Sequence, residues 1–409
     1  GDHFGNSVSV SGDAVAVGCV VDDNPGGVNA GAAYVFVRSG TSWPTAAKLM
    51  ADDGAASDEF GASVSISGGL VLAGAPRDDN VRGIDAGAVY AYSFRCVPPL
   101  GVNRIQGANR YLTAAAASRQ GFPVGAPAVV VATGENWPDA LGGSALAGTA
   151  SGPLLLTRKA SLPGEVTAEV KRLGTTKAYV LGSTDAVSRD VEDALVALLG
   201  RANVVRLGGA NRYETARLVA DETIRLLGPA AFQELAFVAT GSNYPDATAA
   251  SPFAARWGVP ILLANVRTGA VSLPPVVRGV YVLGSAAAVP ESIYESLEDR
   301  LGAAHVWRIG GANRYATAAE VAQRSVGAGM AWNGVGLATG ENFPDALAAG
   351  PMLATNNSVL LLTRPTSLPG ESAAKLTANA PSIASMFIFG DTSAVSTTVE
   401  SAAEVAAGL

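Results

Sequence analysis

Hydrophobic positions along this chain follow two different rhythms. Up to residue 97 they alternate with small polar residues, as in Ser7-Val-Ser-Val-Ser-Gly12 and Ser63-Val-Ser-Ile-Ser-Gly68. That period of two marks half-buried strands. Beyond residue 97, short runs that are apolar on both faces alternate with longer stretches bearing helix start and stop signals. This is the pattern of a parallel sheet covered on both sides. The clearest order reads as a strand over Val204–Leu207, a Gly208-Gly209 turn, and a helix capped by Asn211 from Arg212 to about Leu227. A strand over Ala236–Ala239 follows, then a helix opening at Pro245 and Asp246 and running to about Trp257. The order closes with a strand over Pro260–Leu263, a short connecting helix, a strand over Val280–Leu283, and a last helix from Pro290 to Gly302.

This unit is written three times. Arg206-Leu-Gly-Gly-Ala-Asn-Arg-Tyr213 recurs at Arg104 to Tyr111 and Arg308 to Tyr315, a spacing of 102 residues both times. Its second signature, Ala239-Thr-Gly-Ser-Asn-Tyr-Pro-Asp-Ala247, recurs from Ala132 to Ala140 and from Ala338 to Ala346. The N-terminal region carries two shorter copies with a period of 56, led by Phe4-Gly5 and Phe60-Gly61. Each passes through an acidic turn, Asp22-Asp23-Asn24 or Asp78-Asp79-Asn80, into a closing strand. Four segments follow: 1–97, then repeats at 98–200, 201–302 and 303–409, with Val97-Pro-Pro-Leu-Gly101 as linker.

Composition narrows the function classes. The net charge of −7 belongs mostly to residues 1–100, which hold 11 acidic and 5 basic side chains. The repeats are nearly balanced, so no basic stripe for nucleic acid is visible. No apolar run reaches the roughly 18 residues of a membrane span. The chain begins at Gly1 inside a repeat, which reads as a mature or trimmed product with further N-terminal copies before it, while the complete last repeat makes Leu409 a natural end. Cys19 and Cys96 are either a disulfide or two free thiols. There is no Gly-x-Ser-x-Gly, no phosphate loop, and only His3 and His305, neither with an obvious partner.

The triplicated residues resemble the cell-wall-binding repeat type 2 family. The resemblance rests on the Arg-x-x-Gly-x-x-Arg-Tyr opening, the Ala-Thr-Gly-x-x-(aromatic)-Pro-Asp-Ala turn, the Leu-Leu strands at 153–156, 260–263 and 359–362, and the Tyr-Val-Leu-Gly strand. It implies three Toprim-like or flavodoxin-like α/β units in a pseudo-threefold arrangement, and non-covalent binding of an anionic, teichoic-acid-like wall polymer on a Gram-positive surface. The sequence departs from the family at Val359, Ala264-Asn265, Thr248 and Gln106, so the three copies need not bind alike. The N-terminal copies resemble FG-GAP repeats, which implies an all-β, propeller-like region. In that family some blades bind calcium, which makes Asp22, Asp23, Asn24, Asp78, Asp79 and Asn80 the candidate ligands, although the full Asp-x-Asp-x-Asp spacing is missing.

Each candidate site residue carries two readings. Arg110, Arg212 and Arg314 suit bidentate anion contacts beside helix N-termini; the preferred reading is a lock on the Asp of the same repeat's Pro-Asp turn (Asp139, Asp246, Asp345). Thr133, Thr240 and Thr339, with Asn136, Asn243 and Asn342, lie at carboxyl ends of strands, where ligands of open α/β sheets bind; the Asn side chains equally suit helix capping. The Leu-Leu strands read as core, leaving the polar ends Thr157-Arg158 and Thr363-Arg364 as contact candidates. The leading expectation is a non-catalytic, extracellular surface protein held on the wall. The alternatives are a self-assembling surface-layer or filament protein and, less favoured, a wall hydrolase.

Overall fold

The alternating N-terminal segments form antiparallel sheets in the computed structural model of the chain, which describes residues 1–11, 14–37, 43, 45–67, 70–80, 83–93 and 101–409. Strands Phe4–Ser11, Ala14–Cys19, Ala32–Val37 and Thr45–Leu49 make one sheet, and Ser63–Ser67, Leu70–Ala75 and Ala88–Ser93 another. The sequence reading missed Thr45–Leu49, which pairs with Ala32–Val37. The Phe-Gly motif proves to be a joint between copies. Phe60 is 1% exposed, whereas the equivalent Phe4 on the first strand is 58% exposed. A full burial of this kind is worth roughly 2–3 kcal/mol. Beside it the backbone of Gly61 lies so close to the first copy that a methyl on Gly18 would sit 2.0 Å from its carbonyl oxygen. Cys19 is a buried free thiol whose Sγ donates to the Asp2 carbonyl at 3.0 Å. Cys96 and linker residues 97–100 lie outside the described residues.

Residues Gly101–Leu409 form a separate unit from Gly1–Leu100. Its strands and helices fall where the apolar runs and punctuation residues place them, with Val204–Leu207, Arg212–Leu227, Gly279–Leu283 and Glu291–Leu301 in the second repeat. Asn109, Asn211 and Asn313 each cap the following helix by accepting from two backbone N–H groups. Two expectations need correction. The short connecting helix exists as Gly164–Leu173 and Gly370–Asn379, but the second repeat has none. There only four residues separate Pro274 from Gly279, and the chain instead folds back as the short strand Ala270–Val271. The helix expected from Pro138-Asp139 starts only at Gly143, and its counterpart in the second repeat is broken into Pro245–Ala249 and Ser251–Trp257.

The sheets and the sequence repeats are out of step. The first sheet orders its strands Leu154–Thr157, Ala128–Thr133, Lys177–Leu181 and then Val204–Leu207, so its last strand comes from the second repeat. In the second sheet Val306–Ile309 of the third repeat takes that place beside Gly279–Leu283. In the third, Gly101–Ile105 of the first repeat pairs in parallel with Ser385–Phe389. The exchange is cyclic.

The first arginine of each opening motif fastens this exchange. Arg206 donates to the Gly182 carbonyl at 2.9 Å and pairs with Glu192 at 2.7 Å. Arg308 does the same with Gly284 and Glu291, and Arg104 with Gly390 and Glu400. The middle helices, rich in Ala, Gly and Ser, approach closely behind the sheets. A methyl on Gly148 would meet the Ala255 carbonyl at 1.9 Å, and one on Gly350 would meet Ser251 at 2.7 Å. One buried apolar cluster runs through all three repeats.

Gly208 and Gly310 lie flat on the preceding sheet, where an added Cβ would come within 2.3 Å and 2.4 Å of the backbone of Gly182 and Gly284. At the junction of the third repeat with the first, Gln106 occupies this place. Gly208→Ala is therefore expected to destabilise the α/β unit by about 1–3 kcal/mol through overpacking. Gln106→Gly should cost under about 1 kcal/mol, the entropy of an added glycine. Thermal unfolding of the two variants side by side checks this contrast.

Candidate functional site

The strand order places a topological switch point in each sheet. In the first, the chain leaves Ala128–Thr133 toward one neighbour and leaves Lys177–Leu181 toward the other. Crevices outside the carboxyl ends of such strands are where open α/β sheets bind ligands. A cleft of about 400 Å³ opens there, lined by Glu135, Asn136 and Asp139 from the first turn, Asp185 after the later strand, and Asn211 and Arg212 of the second repeat. A smaller one, of about 150 Å³, lies between the third and first repeats, lined by Asn342, Asp345 and Asp391 together with Asn109, Arg110 and Thr113. Strand exchange thus builds both clefts from two repeats each.

The motif arginines do not lock onto the Asp of their own turn. Each donates instead to the glycine carbonyl of its own Thr-Gly turn, Arg110 to Gly134, Arg212 to Gly241 at 2.7 Å, and Arg314 to Gly340. From there the guanidinium reaches into the preceding repeat. Arg212 lies over the Trp137 ring at 5.0 Å and Arg110 over Phe343 at 5.7 Å, while Arg314 bears on Tyr244. Tyr244 in turn meets both Trp137 and Phe343 edge-on or tilted, at 6.0 and 5.9 Å. The aromatic residues of the three Pro-Asp turns therefore share one cluster, clasped by arginines of the following repeats. A cation over a half-buried aromatic face is worth roughly 0.5–2 kcal/mol.

The three Asp residues also face the following repeat. A methyl on Gly182, Gly284 or Gly390 would lie 2.8, 2.4 or 2.6 Å from a carboxylate oxygen of Asp139, Asp246 or Asp345, so a glycine after the later strand leaves the carboxylate its room. Burial pushes all three carboxyls up, against the lowering influence of a hydroxyl and a guanidinium from the next repeat. These are Thr215 with Arg212, Thr317 with Arg314, and Thr113 with Arg110. Asp345 is raised to about 6, by burial first and then by the neighbouring carboxylate of Asp391. The other two junctions have Ser183 and Ser285 at that position.

The remaining expected site residues divide sharply. Thr133, Thr240 and Thr339 are buried, and their hydroxyls accept from the backbone N–H two residues on, which braces the turn. Thr157 and Thr363 are fully buried and bond the carbonyls of the next loop. Their expected role as accessible contacts does not hold, because each is the last inward position of a strand covered on both faces. Asn136, Asn243 and Asn342 are exposed; each accepts from the N–H of the aromatic that follows and does not cap the helix. Arg158 and Arg364 are exposed as expected, lying over Tyr111 at 5.4 Å and Tyr315 at 4.7 Å. Sequence reading missed Glu135, Lys159, Asp185 and Asp391, which stand at positions that differ between copies.

The acidic turns of the N-terminal unit are closed by their own contacts. Buried Asp22 receives Lys48 Nζ at 2.7 Å and the Tyr34 hydroxyl at 2.8 Å. Asp78 accepts from the Tyr90 hydroxyl at 2.5 Å. Asp23 and Asp79 accept from the backbone N–H groups of Asn29 and Asp85, and Asn24 and Asn80 donate to the carbonyls of Gly31 and Gly87. Among the described residues no three His, Cys, Asp or Glu side chains stand together where they could hold a metal ion, and no helix is long and apolar enough to cross a membrane.

Parallel-sheet repeats joined by cyclic strand exchange, with clefts at the joints, define a tandem-repeat α/β protein whose candidate sites belong to the joints and to no single repeat. The chain belongs to the cell wall binding domain 2 family, whose model matches residues 104–192, 206–294 and 308–400. The FG-GAP repeat model matches residues 1–36 and 43–92. Among curated relatives from Bacillus subtilis (strain 168), N-acetylmuramoyl-L-alanine amidase LytC is 30% identical over 73% of this chain and 57% of its own length. The protein described as Amidase enhancer is 27% identical over 73% of this chain and 39% of its own. The chain thus spans well under two thirds of the curated relatives it matches. Among solved structures, Cwp8 from Clostridium difficile aligns with a TM-score of 0.65 at 25% identity, covering 75% of this chain and 51% of that one. Cwp6 from the same organism aligns with a TM-score of 0.65 at 20% identity, covering 98% and 66%.

Two measurements test the site. Arg212→Ala removes a carbonyl hydrogen bond and an aromatic contact together and should destabilise the α/β unit by about 2 kcal/mol, seen as a lower thermal midpoint. For Asp345 the pH dependence is specific. A carboxyl whose native-state value lies above its unfolded one takes up protons on folding, so the stability it allows is complete below about pH 4 and is lost as pH rises through about 6. Asp345→Asn should therefore flatten the fall in stability across that window and leave the protein more stable than wild type at pH 7.

Proposed function

We propose that the three repeats hold this protein on a bacterial cell wall by binding an anionic, teichoic-acid-like polymer in the clefts between consecutive repeats, without catalysis. The observation that carries this reading is the composite cleft at two of the three joints, lined by an Asn from one repeat and an Asn–Arg pair from the next. Exposed Arg158 and Arg364, set on tyrosine faces beside the turns, add cations along the same strand ends. Several weak sites on one polymer chain give avidity that no single cleft could. The strand order, second, first, third and then the next repeat's opening strand, supports the flavodoxin-like description, and the cyclic pairing supports a pseudo-threefold arrangement. The protein then works outside the cell, at the wall, with the FG-GAP region as a non-catalytic partner module.

A second reading, self-association, is favoured by the apolar side chains that the N-terminal sheets leave exposed: Phe4, Val8, Val10 and Val89. Exposed apolar side chains of this kind invite cover by another protein surface.

Incubating the full chain with isolated Gram-positive walls, before and after acid removal of phosphodiester-linked polymers, tests the first reading. Binding should fall to background on stripped walls; undiminished binding sinks the polymer hypothesis. Elution as a large assembly with no affinity for either wall would favour self-association.

A further inference from the structure

Lys159 and Asp185 put a free cation and a free carboxylate on one cleft. Of the charged groups lining the joint between the first and second repeats, Arg212 is committed to the Gly241 carbonyl and the Trp137 ring, and Asp139 to Thr215. Lys159, Asp185 and Glu135 remain, all exposed. Neither Lys159 Nζ nor the Asp185 carboxylate has a hydrogen-bond or ion-pair partner among the described residues. The Lys159 backbone is held on both sides. The Lys159 backbone N–H donates to Glu135 Oε1 at 3.1 Å, and its carbonyl accepts from Ser188 at 2.8 Å. The cleft volume of about 400 Å³ suits one repeating unit of a polymer.

A bare polyanion fits this arrangement poorly. It would satisfy Lys159 and leave Asp185 and the second oxygen of Glu135 facing like charge. We infer that the occupant of this cleft carries both signs: an anionic phosphodiester held by Lys159, and an ammonium group held by Asp185 with Glu135. The cleft between the third and first repeats lacks this pairing. Pro365 replaces Lys159 there, and Ser393 replaces Asp185. The first joint is the selective one, and the polymer recognised is a polyphosphate ester bearing amine substituents.

This inference rests on the polymer-binding reading, and the test separates the two. The probes are poly(glycerol phosphate) and the same polymer esterified with alanine, titrated against the full chain at low salt. The aminoacylated polymer should bind about three- to fivefold more tightly, the range of one exposed ion pair. Asp185→Asn should abolish that difference, and Lys159→Gln should weaken both polymers alike. Both residues are exposed, so the variants should keep the wild-type thermal midpoint. Equal affinity of the wild type for the two polymers overturns the ammonium subsite and leaves polymer binding standing. Binding to neither polymer overturns both.

Discussion

An unpaired strand edge governs the architecture of the repeats. Three or four strands from one repeat make a sheet whose outer edge carries free N–H and C=O groups, and such an edge must be covered or it will pair with a foreign chain. The covering strand is always the opening strand of another repeat, and the first repeat supplies it to the last. No repeat can therefore complete its sheet alone. The triplicated opening motif is best understood as the clasp of this arrangement. Its first arginine grips the preceding repeat's Gly carbonyl and Glu, Gly208 and Gly310 lie flat on the preceding sheet, and its second arginine covers the preceding repeat's aromatic ring.

Spending both arginines on the joints has an electrostatic result. A chain with 23 arginines would be expected to present cationic surfaces, yet the guanidinium groups nearest the clefts already face carbonyls and aromatic rings. What remains to distinguish one cleft from another is set by loop residues such as Lys159, Asp185 and Asp391. The clefts share a frame and differ in charge, so tandem repetition here has produced related clefts that are not copies of each other.

Much of this was legible in the sequence. Apolar runs and Gly, Pro and Asn punctuation located the parallel strands and the capped helices of the repeats closely, because parallel strands buried on both faces leave little ambiguity, whereas the middle helices started late or broke. The missing connecting helix of the second repeat was also legible in principle, since the residues between Pro274 and Gly279 are too few to form one. The partner of each strand was not. Val204–Leu207 reads identically whether it pairs within its own repeat or with its neighbour, and pairing is a property of the whole chain. The same ambiguity misled the reading of Arg110, Arg212 and Arg314, whose lock on a Pro-Asp turn is real in kind but crosses to the preceding repeat. Thr157 and Thr363 were misjudged because a polar residue at a strand end reads as exposed, while here the loop carbonyls fold back to satisfy it.

The cyclic exchange also sets an order of events. Protein synthesis runs from the amino end, so the strand Gly101–Ile105 emerges before any other part of the α/β unit. Its partner, Ser385–Phe389, emerges almost last. Contacts between such distant segments are slow to form, because a long loop must close first. The first strand of the α/β unit to be made is thus the last one paired, and the unit reaches its closed form only after Ser385–Phe389 has been made.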